Sequence, residues 1–163
     1  MAALTSVPLH VRPAGAADLD FFAELYRSPR PDLLALLADP RYIDAIVAMQ
    51  QAAQVAGYRG SYPDAQYLVL ELDGVAAGRL VTAAAAAGGA VRVVDIAVIP
   101  WARRRGVAGE ALRRVQAQAA LEGQDVTLAV RKDNAGAVRL YAALGFAVEE
   151  EDAVKAQLRW CPS

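Results

Sequence analysis

One stretch constrains this chain more than any other. Residues 91–99 form a β-branched apolar run, Val-Arg-Val-Val-Asp-Ile-Ala-Val-Ile, that stops at Pro100. Arg103-Arg104-Arg105-Gly106-Val107-Ala108-Gly109 follows, and then Glu110-Ala111-Leu112-Arg113-Arg114-Val115, the start of a helix closed by Gly123. The local order is therefore strand, basic turn, helix. A helix N-terminus exposes backbone N–H groups that lack internal partners, and it carries the positive end of the helix dipole. It suits a phosphate, and Gly106 and Ala108 let a ligand approach the backbone closely. The neighbouring arginines add planar forks that match phosphate oxygens. The plainer alternative is a solvated, basic helix start. A nucleic-acid patch at Arg103 to Arg105 is opposed by Glu110 and by the acidic balance of the chain, whose net charge is −1.

The rest of the chain reads in alternating layers. Residues 9–13 alternate and end at Pro13, a short first strand. Gly15 and Asp18 open a helix running to about Arg27, broken by Pro29 and Pro31. A second helical region spans residues 32–56, in two pieces split near Pro40 and stopped by Gly57. Residues 67–72 and 75–84 are strands joined by the two-residue turn Asp73-Gly74. The alanine-rich stretch 83–87 is placed at a strand end with a loose turn. Residues 126–130 form a short buried strand, residues 134–144 a helix stopped by Gly145, and residues 146–150 with 154–160 a final antiparallel pair. This is a mixed α/β layer fold, of α+β type. The strands at 91–99 and 126–130 are joined through a helix, so they should be parallel.

The basic turn is neither of two common phosphate loops. No Gly-x-Gly-x-x-Gly and no Gly-Lys-Ser/Thr is present. Arg103-x-x-Gly106-x-Ala108 instead resembles the Arg/Gln-x-x-Gly-x-Gly/Ala signature of the GCN5-related N-acetyltransferases. The stretch from Asn134 to Phe146, Asn-Ala-Gly-Ala-Val-Arg-Leu-Tyr-Ala-Ala-Leu-Gly-Phe, is similar to that family's second hallmark. The resemblance covers about residues 7–160. It implies a mixed, mostly antiparallel central sheet with flanking helices, in which the parallel strand pair splays into a V. It also implies acetyl-CoA as co-substrate, with its pantetheine arm in that V, and no metal. The acceptor implied is a small-molecule or peptide amine, and a homodimer is common among such proteins.

Roles follow residue by residue from the same resemblance. Ile96, Ala97 and Val98 match the strand segment whose backbone pairs with pantetheine. Arg103, Arg104, Arg105, Gly106, Val107, Ala108 and Gly109 match the diphosphate-holding turn. Tyr141 resembles the tyrosine that protonates the departing thiolate, and it is equally placed to pack on an amphipathic helix. A phenol with a pKa near ~10 stays protonated at neutral pH and can donate to a thiolate. Asn134 matches a polar cofactor contact and is also a natural N-cap.

The acceptor amine must lose a proton, and Asp95 on the central strand is the first candidate base. Strict alternation sets it beside Val93 and Ala97, where apolar surroundings would raise its pKa. Glu71 and a water chain are the alternatives. His10, on the first strand, reads as structural. Tyr58, Tyr62 and Tyr67 would border the acceptor pocket, as would the 32–56 region. The competing function is a non-catalytic acyl-CoA-binding module that keeps the cleft without turnover.

Composition sets the outer bounds. The chain has 163 residues, 56% of them hydrophobic, which suits one domain with an ample core. A pI of about 5.8 gives no global attraction to nucleic acid or to a membrane surface. Cys161 is the single cysteine, so no internal disulfide forms, and near the end of the sequence it makes a poor nucleophile. No Ser-His-Asp arrangement or paired-cysteine motif supports another chemistry. The first 20 residues carry no signal-peptide pattern, and no uncharged apolar segment is long enough to span a bilayer, so a cytoplasmic protein is expected.

Overall fold

The computed structural model describes residues 8–27, 62, 64–84 and 89–163. β1 (Leu9–Pro13) passes through a 3-10 turn (Ala16–Asp18) into α1 (Leu19–Arg27). β2 (Gln66–Leu72), β3 (Val75–Ala84) and β4 (Val91–Val98) follow. A second 3-10 turn (Pro100–Ala102) then leads to α2 (Val107–Leu121). β5 (Val126–Arg131), α3 (Ala135–Ala143), β6 (Ala147–Glu151) and β7 (Lys155–Trp160) complete the order. The helical region expected at 32–56, the residue Tyr58 and the turn expected at 85–88 lie outside the described residues.

Among the described residues seven strands form one sheet in the order β1-β2-β3-β4-β5-β7-β6. Every neighbouring pair is antiparallel except β4 and β5, which run parallel as the helical connection requires. Asp73 and Gly74, at φ 53° and 79°, make the tight turn between β2 and β3. β6 closes one edge of the sheet. Its sequence is Ala-Val-Glu-Glu-Glu, and all of it is exposed.

Two register shifts shape the centre. Leu70 pairs with Gly78 but Glu71 pairs with Ala76, so β3 carries an extra residue at Ala77. Val81 pairs with Asp95 but Thr82 pairs with Val93, so β4 bulges at Val94. The second bulge corrects the expectation from strict alternation. Val81 and Thr82 point to opposite faces, so their partners Asp95 and Val93 do too. Val93 faces the core, and Asp95 shares the far face with Tyr67 and Val81.

α2 packs across strands β1 to β5. It buries Val107, Ala111, Leu112, Gln116 and Ala119, spaced three and four apart, so that one helical stripe meets the sheet. Val107 and Leu112 of the helix and Leu70, Val126 and Leu128 of the sheet are among the fully buried side chains. On the far face α1 brings Phe22 to 5.4 Å from the guanidinium carbon of Arg79.

A glycine is required where β3 meets β4. A Cβ built at Gly78 would stand 2.5 Å from the carbonyl oxygen of Ala97. Backbone on both sides leaves little room to yield. Gly78→Ala is therefore expected to lower stability by about 1–3 kcal/mol, measured by urea unfolding.

Gly15 and Asp18 open the first helical segment as the sequence suggests, its first turn being 3-10 and the α-helix proper starting at Leu19. The backbone N–H of Gly15 donates to Asp18 Oδ2 at 2.8 Å. Arg12 donates to both Asp18 oxygens at 2.7 and 2.9 Å, and to Glu71 at 3.0 Å. These bonds, the Arg12 ones first, hold the Asp18 pKa down at about 2. A carboxylate whose folded pKa lies below its unfolded value of 3.8 stabilises the fold above that value. The contribution fades as pH falls through about 2. The urea midpoint of the wild-type chain should thus drop between pH 4 and pH 2, and Asp18→Asn should flatten that slope, leaving the part due to Glu71.

Candidate active site

β4 and β5 are hydrogen-bonded only at their first residues, Val91 with Val126 and Arg92 with Thr127. Beyond them β5 pairs with β7 along its whole length, while β4 keeps β3 and, among the described residues, has no strand on its other edge. The gap is a wedge-shaped cavity of about 190 Å³. Its walls come from Val93 to Ile96 on β4, from Leu128 to Arg131 on β5, and from Asn134, Ala137 and Tyr141 of α3 and its cap. The expected splay is therefore present, and it brings Asp95, Ile96, Asn134 and Tyr141 together. A larger hollow of about 480 Å³ lies between α2 and the sheet, lined by none of the predicted site residues.

The basic turn sits past the end of β4. Arg104 and Gly106 both adopt left-handed backbone, at φ 64° and 80°. Gly106 is the N-cap of α2 and offers no side chain to its first turn. The first helical bond runs from Glu110 N–H to the Gly106 carbonyl at 2.9 Å. The N–H groups of Val107, Ala108 and Gly109 consequently have no intrahelical acceptor. Arg103 turns back on the strand, its Nε donating to the Val98 carbonyl at 3.0 Å. Arg105 lies over the half-exposed ring of Trp101, 5.9 Å from its centroid. Gly109 is not sterically forced, since a Cβ there would meet only ordinary contacts.

α3 presents the other named groups. Asn134 caps it, its Oδ1 accepting from Ala137 N–H at 3.2 Å. Tyr141 is buried, with its ring edge-on to Phe146 at 6.0 Å. Among the described residues none hydrogen-bonds its hydroxyl. Burial, and next the negative charge of Asp95, push its pKa above the ordinary tyrosine value of 10.0. The hydroxyl accordingly stays protonated throughout the neutral range.

Asp95 is not among apolar neighbours. Its Oδ2 accepts from Arg79 Nε at 3.0 Å and Nη2 at 2.7 Å. Glu71 stands on β2, with β3 between it and the wedge, and is bound by His10 at 2.9 Å and Arg12 at 3.0 Å. Those two donors lower its pKa, with His10 the larger influence. Tyr67 lies on β2 with its hydroxyl buried and, among the described residues, without a partner. Tyr62 is half-buried, its carbonyl accepting from Ala65 N–H at 3.0 Å. Among the described residues, no cluster of three or more histidine, cysteine or acidic side chains is arranged to hold a metal, and no helix is long and apolar enough to cross a membrane.

Sequence reasoning passed over two side chains. Arg79 is a charge in the middle of an apolar strand, a position that demands a partner. Gln116 is a polar residue on the buried stripe of α2, and its Nε2 donates to the Leu144 carbonyl at 2.9 Å, tying α2 to the end of α3.

An acetyltransferase (GNAT) family model matches residues 19–146, and the chain belongs to that family. No curated protein matches the sequence. Among solved structures, PaiA N-acetyltransferase from Thermoplasma acidophilum in complex with coenzyme A superposes with a TM-score of 0.70 at 16% identity, covering 94% of this chain and 98% of that one. YncA from Salmonella typhimurium, a putative acetyltransferase with its cofactor acetyl-CoA, gives 0.59 at 21% identity, over 95% of this chain and 94% of that one. A chimera of spermidine N-acetyltransferase SpeG from Vibrio cholerae with hSSAT gives 0.66 at 17% identity, over 94% and 95%. At these identities the likeness establishes the fold.

Gln116→Leu keeps the bulk of the side chain and removes the donor to Leu144. A loss of about 0.5–1.5 kcal/mol is expected in thermal or urea unfolding, the net worth of one hydrogen bond to a half-buried carbonyl.

Proposed function

We propose that this protein transfers the acetyl group of acetyl-CoA to a primary amine by direct attack. The observation that carries the reading is the wedge. Past Arg92 no described strand pairs with the wedge-side edge of β4, the wedge holds a buried tyrosine whose hydroxyl no described residue bonds, and the turn with free helix-start amides follows β4 along the chain. The free edge suits the amides of pantetheine. The N–H groups of Val107, Ala108 and Gly109 suit the diphosphate, with Arg103, Arg104 and Arg105 beside them. Asn134 borders the same cavity and adds a polar contact.

The chemistry needs few groups. The amine nitrogen attacks the thioester carbonyl, and a backbone N–H of β4 stabilises the oxygen as charge develops. The C–S bond then breaks and its electron pair stays on sulfur. Tyr141 donates to that sulfur as negative charge builds there, and recovers its proton from solvent. Asp95 accepts the proton lost by the amine nitrogen, directly or through water. An amide and free coenzyme A result. The nature of the amine is set by residues beyond those that make the wedge.

The test is thiol release from acetyl-CoA with a panel of spermidine, lysine, tyramine, neomycin and a short peptide with a free N-terminus. Amine-dependent release is expected. Acetyl-CoA binding without release for any amine overturns transfer in favour of a binding module. Tyr141→Phe should cut kcat by about 10²-fold, while calorimetry finds acetyl-CoA affinity unchanged. Full turnover in that variant removes Tyr141 from the mechanism.

A further inference from the structure

We propose that Arg79 is a positioning residue for the transfer step, clamping one oxygen of Asp95 so that the other is presented to the incoming amine. The inference rests on the acetyl-transfer reading above and adds a residue to it.

Arg79 sits mid-strand on β3 and is 4% exposed. Burying a guanidinium costs several kcal/mol unless its partners are well placed, and hydrophobic residues of similar volume often serve stability as well or better. Stability alone is therefore a weak reason for this pair. Its geometry points elsewhere. A guanidinium that only neutralises a carboxylate commonly binds both oxygens in a two-pronged pairing. Here Nε and Nη2 converge on the single atom Oδ2. Among the described residues no hydrogen bond ends on Oδ1, and the Asp95 side chain keeps 20% of its surface exposed. The Phe22 ring lies against the guanidinium, limiting where it can swing.

The β3–β4 ladder fixes the arrangement. Arg79 pairs with Ala97 and Val81 with Asp95, so the two charged residues are diagonal neighbours on one face. Asp95 and Tyr141 both line the wedge, and among the described residues neither Asp95 Oδ1 nor the Tyr141 hydroxyl has a hydrogen-bond partner. Direct transfer calls for that complement: an acceptor for the N–H of the arriving amine, and a donor for the departing sulfur.

The experiment uses the full chain with saturating acetyl-CoA and the panel amine that releases thiol fastest from the wild type. Arg79→Met is expected to lower kcat by about 10²-fold, the scale of a misplaced catalytic group, with KM for acetyl-CoA unchanged. Arg79→Lys, which keeps the charge and loses the fork, should fall between the two. If Arg79 acts through Asp95, the Arg79→Met/Asp95→Asn double variant should be no slower than Asp95→Asn alone. That double variant also leaves no unpaired buried charge. Wild-type kcat in Arg79→Met overturns the proposal, as do losses that multiply in the double variant. Should Arg79→Met fail to fold by circular dichroism, wild-type kcat in Arg79→Lys overturns it instead. A wild-type chain that releases thiol with none of the amines overturns the acetyl-transfer reading itself, and the role of Arg79 with it.

Discussion

β4 and β5 run side by side for two residue pairs and then separate, and most of what matters in this molecule depends on that separation. A parallel pair at the middle of a sheet ordinarily continues, because an unpaired backbone edge in the interior leaves polar groups unsatisfied. Here β5 turns its ladder toward β7, and β4 turns its ladder toward β3. The resulting edge is exposed to a cavity rather than to a neighbour. The basic turn, the N-terminus of α2 and the capped start of α3 all follow the C-terminal ends of these strands. That is where connections in sheets with parallel strands gather and where ligands are commonly bound.

The face opposite α2 is organised by charge as well as by packing. Arg12 links Asp18 and Glu71, tying β1 to β2 and to the entry of α1. Arg79 and Asp95 tie β3 to β4. Both sets join a guanidinium to carboxylates at least partly withdrawn from solvent, where salt screens less than at an open surface. They differ in what remains. The Asp18 carboxylate is engaged by Arg12 and by a backbone N–H, so its role ends with the fold. The Asp95 carboxylate keeps one oxygen unspent.

Much of the architecture was legible in the sequence because its signals are local. Asp73-Gly74 marks a hairpin, Gly123 and Gly145 stop helices, and the β-branched run ending at Pro100 marks the central strand. A strand–helix–strand connection then dictates the parallel pair. What was not legible is what lies across the sheet. The bulge at Val94 inverts the alternation that placed Asp95 beside Val93, and nothing in the β4 sequence marks it. Arg79 finds Asp95 and Gln116 finds Leu144 only after strands and helices have docked.

The edge at β6 has a consequence of its own. A bare outer strand is a template on which another chain could grow the sheet. β6 meets that hazard with three successive glutamates and no buried side chain. Arg159 and Lys132 pair with Glu149 and Glu151, so a strand added there would disturb those pairs with few apolar contacts in return. The sheet thus ends in a strand whose lack of buried side chains leaves a newcomer little to gain.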